Sequence, residues 1–503
     1  MNAVLLAFAG GCLWGFTKLP VMGWWLGLAG PPLLYLALQR ARPWRSLGLF
    51  ALGDALISAT WLLPSLVLMR PGDLYPWFLY LIGSLLLALP LTLGWWVIYV
   101  VARSIRAEAA GWALYFYALF PLGEYLGHFL AGKGLVQPLP WPELSHHPVF
   151  ADYLAGAFPL LGSAGVAGLL ACFFSLILLP FVSKEDPKTL LTLPLIPLAA
   201  LLFATFAGGF PAPETTTKLK VAALPWSGAL GRQPRAEQVL ADLAKRLPLL
   251  AATMPDLLVL PETALPGFAA EGTSLETISA RLLQPEQSML LGVVEKHLAQ
   301  DRFQYFNSAL HLQPGPGVAF VTSQKETLVP FGERLPGWAS ALGLLLAQER
   351  DVLYDSGKNR GLTLKGERFF SGICLEQYLD SFYAPKETQA GFYVFLSRET
   401  DLSPLTKEAL ANLGLAKSLQ TLKPVLKVAN GAITGLVGAS QKGQPPGIWI
   451  SKALAGVYVI QPQPRISMFY RWGAWVTPLL LMGICGLCLG LAYRPHYGPS
   501  IVS

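Results

Sequence analysis

Eight long apolar runs dominate this chain, and about 18 to 20 consecutive apolar residues are what a helix needs to cross a bilayer. The runs lie near Ala3 to Phe16, Val21 to Leu38, Leu47 to Met69, Trp77 to Ala102, Gly111 to Leu130, Leu154 to Val182, Leu190 to Ala207 and Gly473 to Tyr493. Seven fall within residues 1–210 and one follows residue 472, which predicts a polytopic helical membrane domain of about eight spans. Composition agrees, because 53% of residues are hydrophobic and only 13% charged, against about 25% charged in an ordinary soluble domain. Met1 to Phe16 contains no Lys or Arg, so no cleavable signal peptide is expected there.

Residues 211–472, between the last two runs, have a different character. They hold most of the Asp and Glu, with short strand-like segments and Pro/Gly-rich turns, and are numerous enough to build a core of their own. The short loops fix an orientation. Arg40, Arg42, Arg45, Arg103, Arg106, Lys184, Lys188 and Arg494 fall on one side, against Lys18, Arg70 and Lys133 on the other. Positive-inside bias then places 211–472 outside the cytoplasm, with 473–503 as a final span and short cytoplasmic tail. The net charge of +7 reflects this loop bias, and with no basic patch interleaved with aromatics no nucleic-acid partner is expected. His146 and His147 adjoin in an exported loop but lack a third ligand at metal spacing, so no metal or other cofactor is expected.

Within 211–472, "KLKVAALPW", "DLLVLPE", "SMLLGVVE", "YFNSALHL", "GVAFVTSQK", "RFFSGICLE" and "GFYVFLS" read as strands, interleaved with helical segments such as "PLTKEALANLGLAKSLQTLKP". That alternation predicts a layered α/β domain. Three of these strands end in reactive groups: Glu262, Lys325 and Cys374. Loops leave such sheets at the carboxyl ends of strands, so the three are candidates for one site. Cys374 is also the single thiol of the exported segment, since Cys12, Cys172, Cys485 and Cys488 fall in apolar runs. An ammonium beside a thiol lowers its pKa, a carboxylate can take its proton, and the lysine can then hold the oxyanion formed on attack at a carbonyl. Strand-end carboxylates and lysines are more often solvated rim residues and buried cysteines small core hydrophobes, so spacing alone leaves both readings open.

Local sequence adds a resemblance. "KETLVPFGERLP" (325–336), "LVLPETALPG" and "SGICLE" resemble the lysine, glutamate and cysteine motifs of the apolipoprotein N-acyltransferase family, the membrane branch of the nitrilase, or carbon-nitrogen hydrolase, superfamily. "YFNSALHL" is similar to the nitrilase strand carrying Tyr-Asn-Ser, and "PLGEYLGHFLAGKGLVQPLPWPEL" resembles the family's segment ahead of the sixth span, with Glu124 and Trp141 in matching places. The resemblance implies an αββα sandwich, a catalytic triad of Glu262, Lys325 and Cys374, and supporting roles for Glu333 and Glu376. It further implies a bacterial inner-membrane enzyme whose catalytic domain faces the periplasm. A phospholipid would donate an acyl chain to the cysteine as a thioester, and the amine of a diacylglyceryl-cysteine lipoprotein or lipopeptide would accept it.

The chain departs from the family in several places. Leu375 stands where the family has an aromatic. The loop Ser-Asn-Asp-x-Trp-Phe-Gly is replaced by "SRETDLSP" (397–404), and the later Arg-x-x-Asn segment survives as "KVANGAITG" (427–435). A divergent relative, such as the acyltransferase-like proteins of some conjugation systems, fits these losses. The apolar stretch 335–353, with Trp338, Leu342 and Leu345, is a candidate lipid lid or else a helix packed on the domain. A membrane-tethered amidase using the same triad, and a catalytically idle envelope component, are the competing functions.

Overall fold

In a computed structural model the structure describes residues 2–19, 24–69, 72, 74–105, 109–130, 143–181, 191–208, 217–225, 238, 241–242, 245–246, 253–264, 283, 286–299, 302–313, 319–329, 333, 359–437, 448–449, 456–472 and 475–492. The chain divides into two compact units, one from Met1–Gln137, Trp141–Gly208 and Trp472–Ser503 and the other including Gly209–Arg471.

The first unit is helical. Its elements are α1 (Ala3–Phe16), α2 (Gly30–Leu38), α3 (Pro43–Ser58), α4 (Leu63–Met69), α5 (Tyr75–Ile105), α6 (Ala109–Leu130), α7 (Pro148–Tyr153), α8 (Phe158–Leu178) and α9 (Leu195–Gly208), with a C-terminal helix over Val476–Ala492. Two stretches among the described residues, Pro76–Ser104 and Ala155–Phe181, are long and apolar enough to cross a membrane, and Ala3–Phe16, Trp24–Leu38, Leu195–Gly208 and Val476–Gly490 are shorter apolar helices. The run expected as one span over Leu47 to Met69 is two helices, α3 and α4, separated by a turn at 59–62. Pro64 is the reason, since a proline is tolerated in a first helical turn and not in a continuous helix interior. Leu81, Leu85, Leu89 and Leu93 make a half-exposed apolar stripe along α5 at the four-residue spacing of one helix face.

Charged groups of three helices meet at one point in this unit. Lys18 at the end of α1 places Nζ 2.9 Å from both carboxylate oxygens of Asp54 on α3 and also meets Glu124 on α6. Trp14 Nε1 donates to Glu124 at 3.2 Å. Three helices are thereby tied at one buried point, and losing one partner would strand the others' charges away from water. Close backbone approach does the rest: a Cβ added at Gly94 of α5 would land on the backbone of Gly123 and Gly127 in α6, the small-residue contact that apolar helices use to pack.

Among its described residues the second unit contains two six-stranded sheets. Strands β1 (Leu219–Ala223), β2 (Leu257–Val259), β3 (Ser288–Ala299), β4 (Arg302–Gln313), β5 (Ala319–Gln324) and β12 (Gly456–Ile460) form one, in the order β12-β1-β2-β3-β4-β5. The other holds β6 (Leu362–Leu364), β7 (Glu367–Ile373), β8 (Phe392–Arg398), β9 (Val425–Asn430), β10 (Gly435–Val437) and β11 (Ile448–Trp449), ordered β11-β10-β9-β8-β7-β6. The central strands β1-β2-β3 and β7-β8-β9 run parallel and are buried on both faces, which is why they read as near-continuous apolar runs.

Alternation within β8 assigns the faces. Phe392, Val394 and Leu396 join Leu219, Val221, Leu257 and Val259 in one core, so the two sheets face each other. Tyr393 and Phe395 point the other way, into a second cluster with Tyr378, Phe382, Tyr383 and Leu413. Helices α10 (Asp380–Tyr383) and α11 (Pro404–Gln420) build that outer layer. Ser403 caps α11 by accepting from Thr406 N at 3.2 Å, and Pro404 opens its first turn, as the N-cap rules require. The α12 helix (Met468–Trp472) ends the unit. Two facing sheets with a helical layer outside the second are the described part of the expected αββα sandwich.

Candidate active site

Strand direction brings three chain ends to one region. β2 and β3 are parallel, β4 reverses, and β5 reverses again, so the carboxyl ends of β2 and β5 leave the same edge of the first sheet. Glu262 follows β2 and Lys325 follows β5 directly. Cys374 follows β7 in the facing sheet and opens a 3-10 turn, Cys374–Tyr378.

Asn307 on β4 joins the first two. Its main-chain carbonyl accepts from Lys325 N at 2.8 Å, while its Nδ2 donates to Glu262 Oε1 at 2.8 Å and more weakly to Glu333 Oε1 at 3.4 Å. The other Glu262 oxygen accepts from Arg398 N at the end of β8, at 2.9 Å. Both carboxylate oxygens are therefore held, one from each sheet. Lys325 Nζ donates to Glu333 Oε1 at 2.8 Å, and Val329 N donates to Glu333 Oε2 at 2.7 Å. Lys325 is 1% exposed and Glu262 7%.

Glu376 does a different job. It accepts from Ile373 N at 2.8 Å, Glu326 N at 2.6 Å and Thr327 N at 3.2 Å, so it bridges the cysteine turn to the residues after Lys325. Cys374 has φ +52 and Thr263, next to Glu262, has φ +49. Left-handed backbone at a non-glycine residue costs energy and persists where surroundings hold it, and the Glu376 bridge supplies that hold at the cysteine.

The electrostatics depart from the sequence expectation in one respect. A nearby ammonium was expected to lower the Cys374 pKa, yet burial and the Glu262 carboxylate push the thiol above its ordinary value of 9.0, with Lys325 pulling against them. The reason lies in the charge count. Lys325 is already matched: burial opposes its charge, but Glu333, Cys374 and Glu262 together raise its pKa. Burial also raises Glu262, with Lys325 opposing and Glu333 adding to the rise. Glu376 is pushed up to about 7 by burial, against the backbone N–H groups it accepts. Burial thus favours the neutral thiol at Cys374 and raises the proton affinity of the Glu262 carboxylate in its field.

Of the residues expected from sequence, Glu262, Lys325, Cys374, Glu333 and Glu376 come together. Trp338, Leu342 and Leu345 lie outside the described residues. Asn307 and the Arg398 main chain were not singled out beforehand; the Tyr-Asn-Ser resemblance in "YFNSALHL" was the available signal for Asn307.

No profile of a known protein family matches the chain. Among curated proteins it is similar to the apolipoprotein N-acyltransferase of Brucella melitensis, 23% identical over 95% of this chain and 91% of that protein. The enzyme of the same name from Chromobacterium violaceum is 26% identical over 65% of this chain and 62% of its own length, and that of Neisseria meningitidis 26% over 49% of each. Among solved structures it is similar to a CN-hydrolase superfamily protein of Xanthomonas campestris, with TM-score 0.35 and 18% identity over 49% of this chain and 91% of that one. An amidase from Nesterenkonia gives TM-score 0.32 and 10% identity over 53% and 97%.

Gly292 on β3 leaves room for the glutamate turn: a Cβ there would fall 2.6 Å from Glu262 Cα, 2.7 Å from Pro261 O and 2.8 Å from Thr263 N. Gly292→Ala must push this backbone aside, and a displacement of about 1 Å costs on the order of 100-fold in rate. The variant is expected to lose turnover to that extent while circular dichroism still reports the native sheet content. Along almost its entire length, the family to which this chain is similar in sequence is that of the apolipoprotein N-acyltransferases.

Proposed function

We propose that the chain is an integral-membrane N-acyltransferase that works through a cysteine thioester. The observation that carries the reading is the gathering of Glu262, Lys325 and Cys374 from three strand ends, with Asn307 and Glu333 fixing the carboxylate and the ammonium. The similarity to apolipoprotein N-acyltransferases supports the reaction class.

In the first half-reaction, Cys374 Sγ attacks an ester carbonyl carbon of a phospholipid as its proton passes to Glu262. The carbonyl oxygen becomes an oxyanion, and Lys325 Nζ stabilises it. The C–O bond then breaks, the Glu262 proton goes to the departing alkoxide, and a lysophospholipid leaves an acyl-thioester on Cys374. In the second, the amine of a diacylglyceryl-cysteine lipoprotein or lipopeptide attacks the thioester carbon and gives a proton to Glu262. The C–S bond breaks, the amide departs, and the thiolate recovers that proton. Glu333 keeps Lys325 charged and aimed, and Glu376 holds the turn that presents Cys374. None of these steps draws on a metal or an organic cofactor.

The apolar helices and the exposed stripe on α5 support placement in the bacterial inner membrane, with about eight spans and the layered domain facing the periplasm. The 335–353 segment would serve as the entry for acyl chains.

With purified full-length protein and phospholipid bearing a labelled acyl chain, mass spectrometry is expected to find the label on the Cys374 peptide and none in Cys374→Ala. Glu262→Gln, which cannot accept the proton, should slow labelling by about 10²- to 10⁴-fold. Discharge by a lipopeptide amine supports transfer, whereas discharge by water alone assigns the chain to hydrolysis. An unlabelled, folded wild-type protein rules out the enzyme.

The pH dependence has a definite sign. Glu262 must be ionised to act, and its pKa is raised above the ordinary 4.5. The rate of thioester formation should therefore fall as pH drops through a value higher than 4.5, and an acidic limb at or below 4.5 would contradict the assignment.

A further inference from the structure

The loop that departs from the family contains a built ion pair. Glu399 Oε1 lies 2.6 Å from Lys427 Nζ, with side chains 1% and 9% exposed, and accepts from Ser397 Oγ at 2.8 Å. Lys427 Nζ also donates to Tyr378 OH at 3.3 Å and sits over that ring, 5.8 Å from its centre. The β8 to β9 register sets Phe395 opposite Lys427 and Ser397 opposite Ala429, so Lys427 and Ser397 share the outer face of the second sheet. Tyr378 closes the turn that Cys374 opens. The network therefore runs from the end of β8, through β9, to the far end of the nucleophile's turn.

Its cost sets this pair apart from an ordinary core contact. Burying both ions costs several kcal/mol each, and an apolar pair of the same volume serves stability as well or better, so stability alone gives no reason for it. The contact depends on combined reach: Asp in place of Glu399 would be one methylene too short for Lys427, and Arg in place of Lys427 would be too long for Glu399.

We propose that Glu399 and Lys427 are one positioning unit, which braces Tyr378 and thereby fixes the Cys374 turn from its far end. The Glu399 carboxylate is also the smallest of the named influences that raise the Cys374 pKa, after burial, Glu262 and Glu333. This inference rests on Cys374 being the reactive group of the proposed function.

The test uses the full-length protein with Glu399→Asp, Lys427→Arg and the double exchange. Its first readout is alkylation of Cys374 by iodoacetamide, followed by mass spectrometry. That readout needs neither phospholipid nor amine, so it reports on the turn even if the acyltransferase reading fails. Its second is the turnover number against the Michaelis constant for thioester formation. Each single exchange should slow both alkylation and turnover by about tenfold or more, with the Michaelis constant unchanged, as expected when a reacting atom is misplaced. The double exchange should recover to within about threefold of wild type, the signature of two coupled residues. Melting temperatures report separately on folding. The proposal is overturned if the double exchange is as slow as the slower single variant or slower, or if both single variants match wild type.

Discussion

An ammonium out of reach of water is stable only where carboxylates meet it, and Lys325 is such an ammonium, with Glu333 at 2.8 Å. The rest of the site follows from this balance. Glu333 and Glu262 hold Lys325 charged, and burial together with the Glu262 carboxylate raises the Cys374 pKa above 9.0 against the pull of that ammonium. In the proposed reaction a base is then required at the moment of attack, and Glu262 takes that part, with burial raising its affinity for a proton. In that proposed reaction the lysine, still held by Glu333, turns its remaining N–H donors to the oxyanion, which exists only during reaction, and that is where electrostatic stabilisation raises rate.

The fold supplies the precision that such a balance needs. Parallel central strands bring their carboxyl ends to one edge of each sheet, and side chains there are held by neighbours with few degrees of freedom. Glu262 takes one hydrogen bond from Asn307 of the first sheet and one from the Arg398 main chain of the second. A shift of one sheet against the other would break one of them. The positive φ at Cys374 is held on one side by the Glu376 bridge. In the helical unit the same rule operates with different residues, where Lys18 meets two carboxylates from two other helices.

Much of this was legible in the sequence because it is local. Glu262, Lys325 and Cys374 each stand just past an apolar strand, and the strand ends alone suggested a common site. The apolar runs located most of the helices to within a few residues. What the sequence could not convey depends on three-dimensional pairing. The direction of the Cys374 shift needs the count of charges gathered around it, which includes Glu333, eight residues beyond Lys325. The Glu399 to Lys427 pair needs the β8 to β9 register. The division of α3 from α4 was readable from Pro64, but the apolar character of the flanks concealed it. The non-helical Gly162 inside α8, with φ +71, bends a helix that periodicity reads as straight.

In the proposed reaction Cys374 rests as a thiol and becomes a nucleophile only by giving its proton to Glu262. The difference in ultraviolet thiolate absorbance between wild type and Cys374→Ser, followed as pH is raised, tests this most directly. The account predicts no thiolate at neutral pH and a titration above the ordinary thiol value of 9.0. A thiolate already formed at neutral pH would contradict it, and would make Lys325, rather than Glu262, the residue that activates the cysteine.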